Sequence, residues 1–324
     1  MSYISSAPSQ PFLLIDLINL RNVTVDVPTK SAWVQAGAVL GELYHSIASA
    51  SGTLAFPAGI CPSYGMLLRK YGMAADNVLD ARLVDAEGRI LDRAGMGEDV
   101  FWAIRGGGGN TYGVVVSWKV KLVPVPRRVT GFKVSKTSEG SLTKVIQRYQ
   151  HFAKLKAKSD YVQRPLPVRA LQGIWRSFDQ VEAGPPLVQM VPHGGRMSRI
   201  SNSSIPYPHR SGNIYKIQYF ASWFGEDKKV EKRHLHWING LYRFMTPYVS
   251  NNPRGAYPNS RDLDLGVNDP VGRTSYKQAR VWGEQYFKHN FERLARVKAA
   301  IDPSNFFRNE QSVPPFVRMT TGRV

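Results

Sequence analysis

One cysteine, Cys61, stands in a chain of 324 residues. A single thiol closes no intramolecular disulfide and builds no cysteine-rich zinc site. Acidic residues are scarce: 24 Asp and Glu face 43 Lys and Arg, a formal charge of +19 with neutral histidines. No apolar run approaches the roughly 20 residues that span a bilayer, so no membrane-crossing helix is expected. The opening, MSYISSAPSQPFLLIDLINL, has no basic stretch, and Asp16 interrupts its apolar run, so it does not read as a signal peptide. Neither a low-complexity tract nor an internal repeat is present. No zinc-finger, RNA-recognition or KH signature accompanies the positive charge, which leaves nucleic acid without a motif to bind it. What remains is 43% hydrophobic and 21% charged, the composition of a folded chain. Its length suits about two domains of roughly 100–200 residues.

The charge is unevenly placed. Residues 1–100 hold 7 basic and 10 acidic side chains, a balance of −3, whereas the remaining 224 residues hold 36 and 14, a balance of +22. Such a bias attracts polyanions, an acidic polysaccharide among them. The basic residues are scattered rather than massed in one run, which favours a solvated basic surface.

Local patterning predicts mixed α and β structure. FLLID, VTVDV and AWVQA read as short strands, Val39 to Ser51 as a helix ended by Gly52, and VLDARLVDA as a strand turning at Glu87–Gly88. GEDVFWAIR is a short helix and GVVVSWKVKLV a long strand. Beyond Pro124 and Pro126 the composition becomes basic. Helices are predicted over 140–157, near Leu171 to Arg176, over 226–245, and over 275–301 with a break near Gly283. NIYKIQYFASW is a strand, and Asp302-Pro303 stops the last helix.

Several places carry chemical potential. Cys61 sits in a loop between Ile60 and Pro62. It is either a small buried residue or, once ionised, a nucleophile. The glycines 106–109 are either a close-approach loop for an anion or a flexible hairpin. On the strand at 214–220, Lys216, Gln218 and Phe220 share one face, and Tyr215, Ile217 and Tyr219 the other. A lysine beside a glutamine implies an edge facing water or a polar cavity. Arg261, Asp262 and Asp264 form a turn-like cluster without the further ligands a metal requires. Phe306 and Phe307 are too apolar for a solvated tail. Sequons occur at Asn22-Val-Thr and Asn202-Ser-Ser, weak support for secretion.

FPAGICP, RKYGMAADNVLDA, GRILDRAGMGEDVFWAIRGGGGNTYGVV, PHGGRMS, SRDLDLG, WGEQYFKHNFERL and DPSNFFRNEQSVPP, in this order, resemble the plant berberine bridge enzyme-like family of FAD-linked oxidoreductases. The resemblance implies an α+β chain with the FAD-binding fold of the vanillyl-alcohol oxidase and p-cresol methylhydroxylase type, incomplete here, and an α+β substrate domain. The expected division is 1–126 for the FAD domain, 127–255 for the substrate domain, shortened near 153, and 256–324 for a segment returning to the FAD domain. It further implies FAD attached through Cys61 and touched by Tyr64, Gly65, Asp76, Asn77, Val78, Asn305 and Asn309. Lys216 and Gln218 match the family's active-site strand. The implied reaction oxidises an alcohol, carbohydrate or specialised metabolite by hydride transfer to flavin N5, with oxygen as acceptor, in an extracellular or cell-wall setting.

Four departures qualify that expectation. MSYIS matches the residues just after the family's histidine motif, so the histidine attachment is absent. CPSYGMLLRKYG lacks the family's Gly-Gly-His-x-Ser-Gly-Gly-Gly stretch. IQRYQHFAKLKAKSDYV joins segments that the family separates, with the join near Ala153. Ser260 stands where the family often has a base tyrosine, although Tyr257 is retained nearby. Two classes of function follow: an FAD-linked oxidoreductase, or a truncated, inactive remnant held by acidic cell-wall polysaccharide.

Overall fold

The structure is a computed structural model that describes residues 15–58, 65–108, 111–128, 153–178, 187–224, 227–269, 271 and 273–316. The chain forms two compact units. The first comprises 1–127, 194–211 and 263–324, and the second comprises 128–193 and 212–262. Residues 194–211 thus join the first unit, whereas sequence reading placed them within 127–255.

In the first unit, β1 (Val23–Asp26), β2 (Ser31–Gln35), β6 (Val114–Lys121), β4 (Val78–Val84) and β5 (Ile90–Leu91) form an antiparallel sheet in that order. The predicted turn at Glu87–Gly88 is present. Gly88 adopts φ 79°, and Leu83 pairs with Leu91 across it. Alternation along β2 and β6 sends Ala32 and Val120 inward, where they meet Leu43 and Ile47 of the helix Leu40–Ala50. These two leucine-type positions lie one helical turn apart and so share one face. Ile15 and Asp16, predicted as part of a strand, are irregular, and the rest of FLLID lies outside the described residues. The short pair β3 (Leu54–Ala55) and β7 (Val123–Pro124) closes the same core.

The helix Arg93–Ile104 starts at Asp92, whose carboxylate accepts the Gly95 N–H at 2.8 Å, and bends at Gly97. It leads into the glycine run, where Gly107 is buried. A Cβ there would stand 2.5 Å from Leu294, so packing rather than a flexible hairpin explains that glycine. Two C-terminal helices, Tyr276–Phe287 and Asn290–Ile301, reverse at Lys288, at φ 47°, and not at Gly283 as predicted. Gly283 lies inside the first helix because the Phe291 ring occupies the space where its Cβ would be. The tail docks through Gln311, Ser312 and Val313, while Phe306 is exposed.

In the second unit, β8 (Ala153–Val162), β10 (Tyr215–Phe224) and β9 (Leu187–Pro192) form an antiparallel sheet with β10 central. Of the helix predicted over 140–157, residues 153–157 are strand, and the remainder lies outside the described residues. Lysines at 154, 156 and 158 alternate, and pairing with β10 overrides any helical preference there. Ile217, Tyr219, Ala221 and Trp223 face the helix Lys228–Met245 and pack on Trp237, Ile238, Leu241 and Met245. Each such aliphatic or aromatic burial contributes roughly 1.5–3 kcal/mol. The helix Val168–Phe178 adds Ile174 to this core. Among the described residues no helix is long and apolar enough to cross a membrane.

Candidate functional site

The sheet of the second unit fixes its own chemistry. Because Ile217 and Tyr219 go to the helix-covered face, Lys216, Gln218 and Phe220 must go to the other. β10 is not an edge strand, and both polar residues are buried, Lys216 at 7% and Gln218 at 6% exposure. Of the two environments expected for them, water is therefore excluded. Register places Tyr161 and Ser159 of β8 opposite Lys216 and Gln218, and Gln189 of β9 also opposite Gln218.

Residues 256–260 cover this face. The Ser159 hydroxyl accepts the Tyr257 N–H at 2.8 Å, and Gln218 Nε2 donates to Ser260 Oγ at 2.5 Å. Lys216 Nζ lies 3.3 Å from the centroid of the Tyr257 ring. A ring face offers an ammonium a cation–π contact of about 0.5–2 kcal/mol, well short of its hydration. Burial accordingly lowers the Lys216 amine from 10.5 to about 7. No carboxylate stands at ion-pair distance from it among the described residues. The phenol of Tyr257 accepts from Asn259 Nδ2 at 3.1 Å. Lys216, Gln218, Tyr257 and Ser260 are thus brought together. Ser159 and Gln189 were missed in the sequence, because no strand was predicted over either.

Asp262, one of the two carboxylates in the 261–264 cluster, pairs with Lys158 at 2.6 Å and Lys156 at 3.3 Å. The described residues contain no cluster of three or more metal-ligating side chains.

The residues expected to hold a flavin lie in the first unit. Cys61 and Tyr64 fall outside the described residues, and Gly65 opens the helix Gly65–Tyr71. Asp76 caps the Met73 N–H at 2.9 Å and receives both terminal nitrogens of Arg210, one at 3.0 Å. Arg210 is wholly buried. Asn77 donates its amide to the Tyr71 and Met73 carbonyls. These side chains are therefore committed to the protein. Val78 starts β4 and, with Ala74 and Ala75, lines a cavity of about 340 Å³ walled also by Phe56, Trp118 and Arg105.

That volume sits at the small end of ligand pockets, about 300–1,000 Å³, and admits a ring system rather than a whole dinucleotide. The Arg105 guanidinium lies 4.4 Å from the Phe101 ring centroid, its basicity lowered by burial. Asn305 adopts φ 55°, and its side-chain oxygen is buried with no donor among the described residues. Asn309 accepts from Gln311 N–H and Asn268 Nδ2. The apolar walls and one guanidinium of the cavity fit part of a flavin's ring system, while Asn305 is not among the residues that line it.

Comparison with known proteins agrees in kind. Residues 1–93 match a family model described as FAD binding domain, and 256–314 one described as berberine and berberine like. The chain is 39% identical to a tetrahydroberberine oxidase of Berberis wilsoniae, over 98% of this chain and 78% of that one. That alignment runs over 421 positions, more than this chain possesses, so the relative carries stretches with no counterpart here. The structure of BBE-like 28 from Arabidopsis thaliana matches with a TM-score of 0.87 at 39% identity, covering 98% of this chain and 84% of that one. A grass pollen allergen with glucose dehydrogenase activity, Phl p 4, matches with a TM-score of 0.85 at 36% identity, covering 97% and 83%.

Proposed function

The chain belongs to the berberine bridge enzyme-like family of FAD-linked oxidoreductases, and from that membership we propose that it oxidises an alcohol, a carbohydrate or a specialised metabolite, with Lys216 as the proton acceptor. The observation that carries this reading is a buried amine with no carboxylate at ion-pair distance among the described residues, its pKa lowered by burial to about 7. A general base works best when its pKa lies close to the operating pH. Ser260 is too weak an acid to replace the tyrosine that the resemblance implies there, and its oxygen accepts from Gln218. The Gln218 amide and Ser260 orient a substrate hydroxyl, and the Tyr257 ring keeps water from the Lys216 amine. Bound FAD would supply the two-electron acceptor, and oxygen or another acceptor would return it to the oxidised form. The Cys61 thiolate is the proposed covalent anchor, and Asn305 and the 76–78 backbone the non-covalent contacts.

The relatives named above include an oxidase of tetrahydroberberine and a glucose dehydrogenase, which support a small-molecule or sugar substrate and leave its class open. A second reading, a non-catalytic basic protein retained on acidic cell-wall polysaccharide, draws on the +19 charge and the stretches without counterpart. Purified full chain decides between them. A flavin spectrum that survives denaturation in native protein but not in Cys61→Ala, with hydrogen peroxide release abolished by Lys216→Met, is the expected result. A colourless protein retained on pectin and eluted by salt overturns it.

A further inference from the structure

Tyr257 and Ser260 both lie on the segment 254–262, and the two ends of that segment are tied by buried charge. At one end Arg254 Nε and Nη2 donate to the two carboxylate oxygens of Asp160 at 2.6 and 2.7 Å. Its guanidinium also reaches Thr246 Oγ1 and the Tyr242 carbonyl, and lies 3.4 Å from the Tyr242 ring centroid. At the other end Asp262 accepts from Lys158 Nζ at 2.6 Å. Asp160, Lys158 and Asp262 are all at most 3% exposed.

The register explains what this does. Lys158, Ser159 and Asp160 are consecutive on β8, an edge strand of its sheet. Lys158 lies opposite Tyr219 and Asp160 opposite Ile217, on the helix-covered face, while Ser159 lies opposite Gln218 on the polar face. The segment is therefore anchored by its ends on one face and by the Tyr257 N–H to Ser159 bond on the other. It bends around the open edge of β8, where the Ser250 N–H also bonds the Tyr161 carbonyl. Buried ion pairs add little net stability, since desolvation offsets their attraction, but a segment placed elsewhere would leave their charges buried and unpaired.

We propose that Arg254 and Asp262 are positioning residues, whose ion pairs with Asp160, Lys158 and Lys156 hold the 254–262 segment around the β8 edge so that Tyr257 covers Lys216 and Ser260 meets Gln218. The proposal rests on the reading of Lys216 as the base, but its test needs neither flavin nor turnover, so the two can fail separately. The groups facing Lys216 are Tyr161 from β8, with His193 against its ring, and Tyr257 from the segment itself.

The test is the pH dependence of acylation of the Lys216 amine in the full chain, read by peptide mass spectrometry, in native protein and in Arg254→Met, Arg254→Lys and Asp262→Asn. Release of the segment should hydrate the amine. The labelling midpoint should then rise by more than one pH unit in Arg254→Met and Asp262→Asn, a tenfold or greater change in proton affinity. Arg254→Lys, which keeps the charge but not the fork, should shift it less. Should Arg254→Met fail to fold, Asp262→Asn and Arg254→Lys carry the comparison. Met245→Ala, a cavity on the helix-covered side, serves as a control that lowers the melting temperature without moving the midpoint. The proposal is overturned if the charge variants melt earlier but keep the native midpoint, or if Met245→Ala moves it equally.

Discussion

Lys298 in the first unit and Lys216 in the second are both buried, and the two are treated oppositely. Lys298 in the first unit is fully enclosed and donates to Asp302 Oδ2 and the Thr111 carbonyl at 2.6 Å, and to the Phe307 carbonyl at 2.7 Å. Burial lowers its pKa, while Asp302 pulls it back up. Lys216 in the second unit has a phenol ring, and no oxygen partner among the described residues. An ammonium bound to three acceptors is a structural tie. One stripped of water and left without a carboxylate is poised to give up its proton. The difference lies in what surrounds the charge rather than in how deeply it is buried.

The largest effect that would test this contrast is at Lys298. Lys298→Met leaves the Asp302 carboxylate buried with, among the described residues, neutral partners alone: the Phe306 and Phe307 N–H groups and the Ser304 hydroxyl. A loss of about 3–5 kcal/mol is expected in denaturant unfolding. Lys216→Met should do the reverse, abolishing turnover while stabilising the fold. The drop from 10.5 to about 7 corresponds to roughly 5 kcal/mol. Loss of the ring contact returns about 0.5–2 kcal/mol of that, leaving a gain of about 3. The sign follows from linkage. Between about pH 7 and 10.5 the unfolded chain holds a proton that the folded chain has lost. The penalty is therefore full below pH 7 and vanishes as pH rises through 10.5. The stabilisation by Lys216→Met should accordingly be largest at pH 6 and absent near pH 11, measured as the difference in unfolding free energy.

Smaller effects sharpen the comparison. Arg210→Lys keeps a charge beside Asp76 but loses the two-pronged contact, and should cost about 1–2 kcal/mol, with reduced flavin content in the purified protein. Ser260→Ala removes the acceptor for the buried Gln218 amide and should cost about 1–2 kcal/mol in thermal unfolding, leaving the Lys216 titration nearly unmoved.

The sequence shows the alternation that puts Lys216 and Gln218 on one face, because a strand side chain's direction depends only on its neighbours in the chain. It likewise shows the helix Lys228–Met245, whose apolar residues recur at helical spacing. The central place of β10, which buries those two residues, depends on pairing with β8 and β9 and has no local signal. β8 was partly misread as helix for the same reason. The Arg254–Asp160 pair spans 94 positions and the Arg210–Asp76 pair 134, distances over which one sequence carries no trace of contact. The flavin contacts expected of Cys61 and Asn305 rest on motif resemblance, since neither residue type is informative by itself.

The most direct measurement is an NMR pH titration of the side-chain nitrogens in lysine-labelled protein, with Lys216→Met and Lys298→Met used for assignment. Lys216 should titrate with a midpoint near 7, while Lys298 stays protonated at pH 7.5. A Lys216 midpoint at the ordinary value of 10.5 would contradict its assignment as the base.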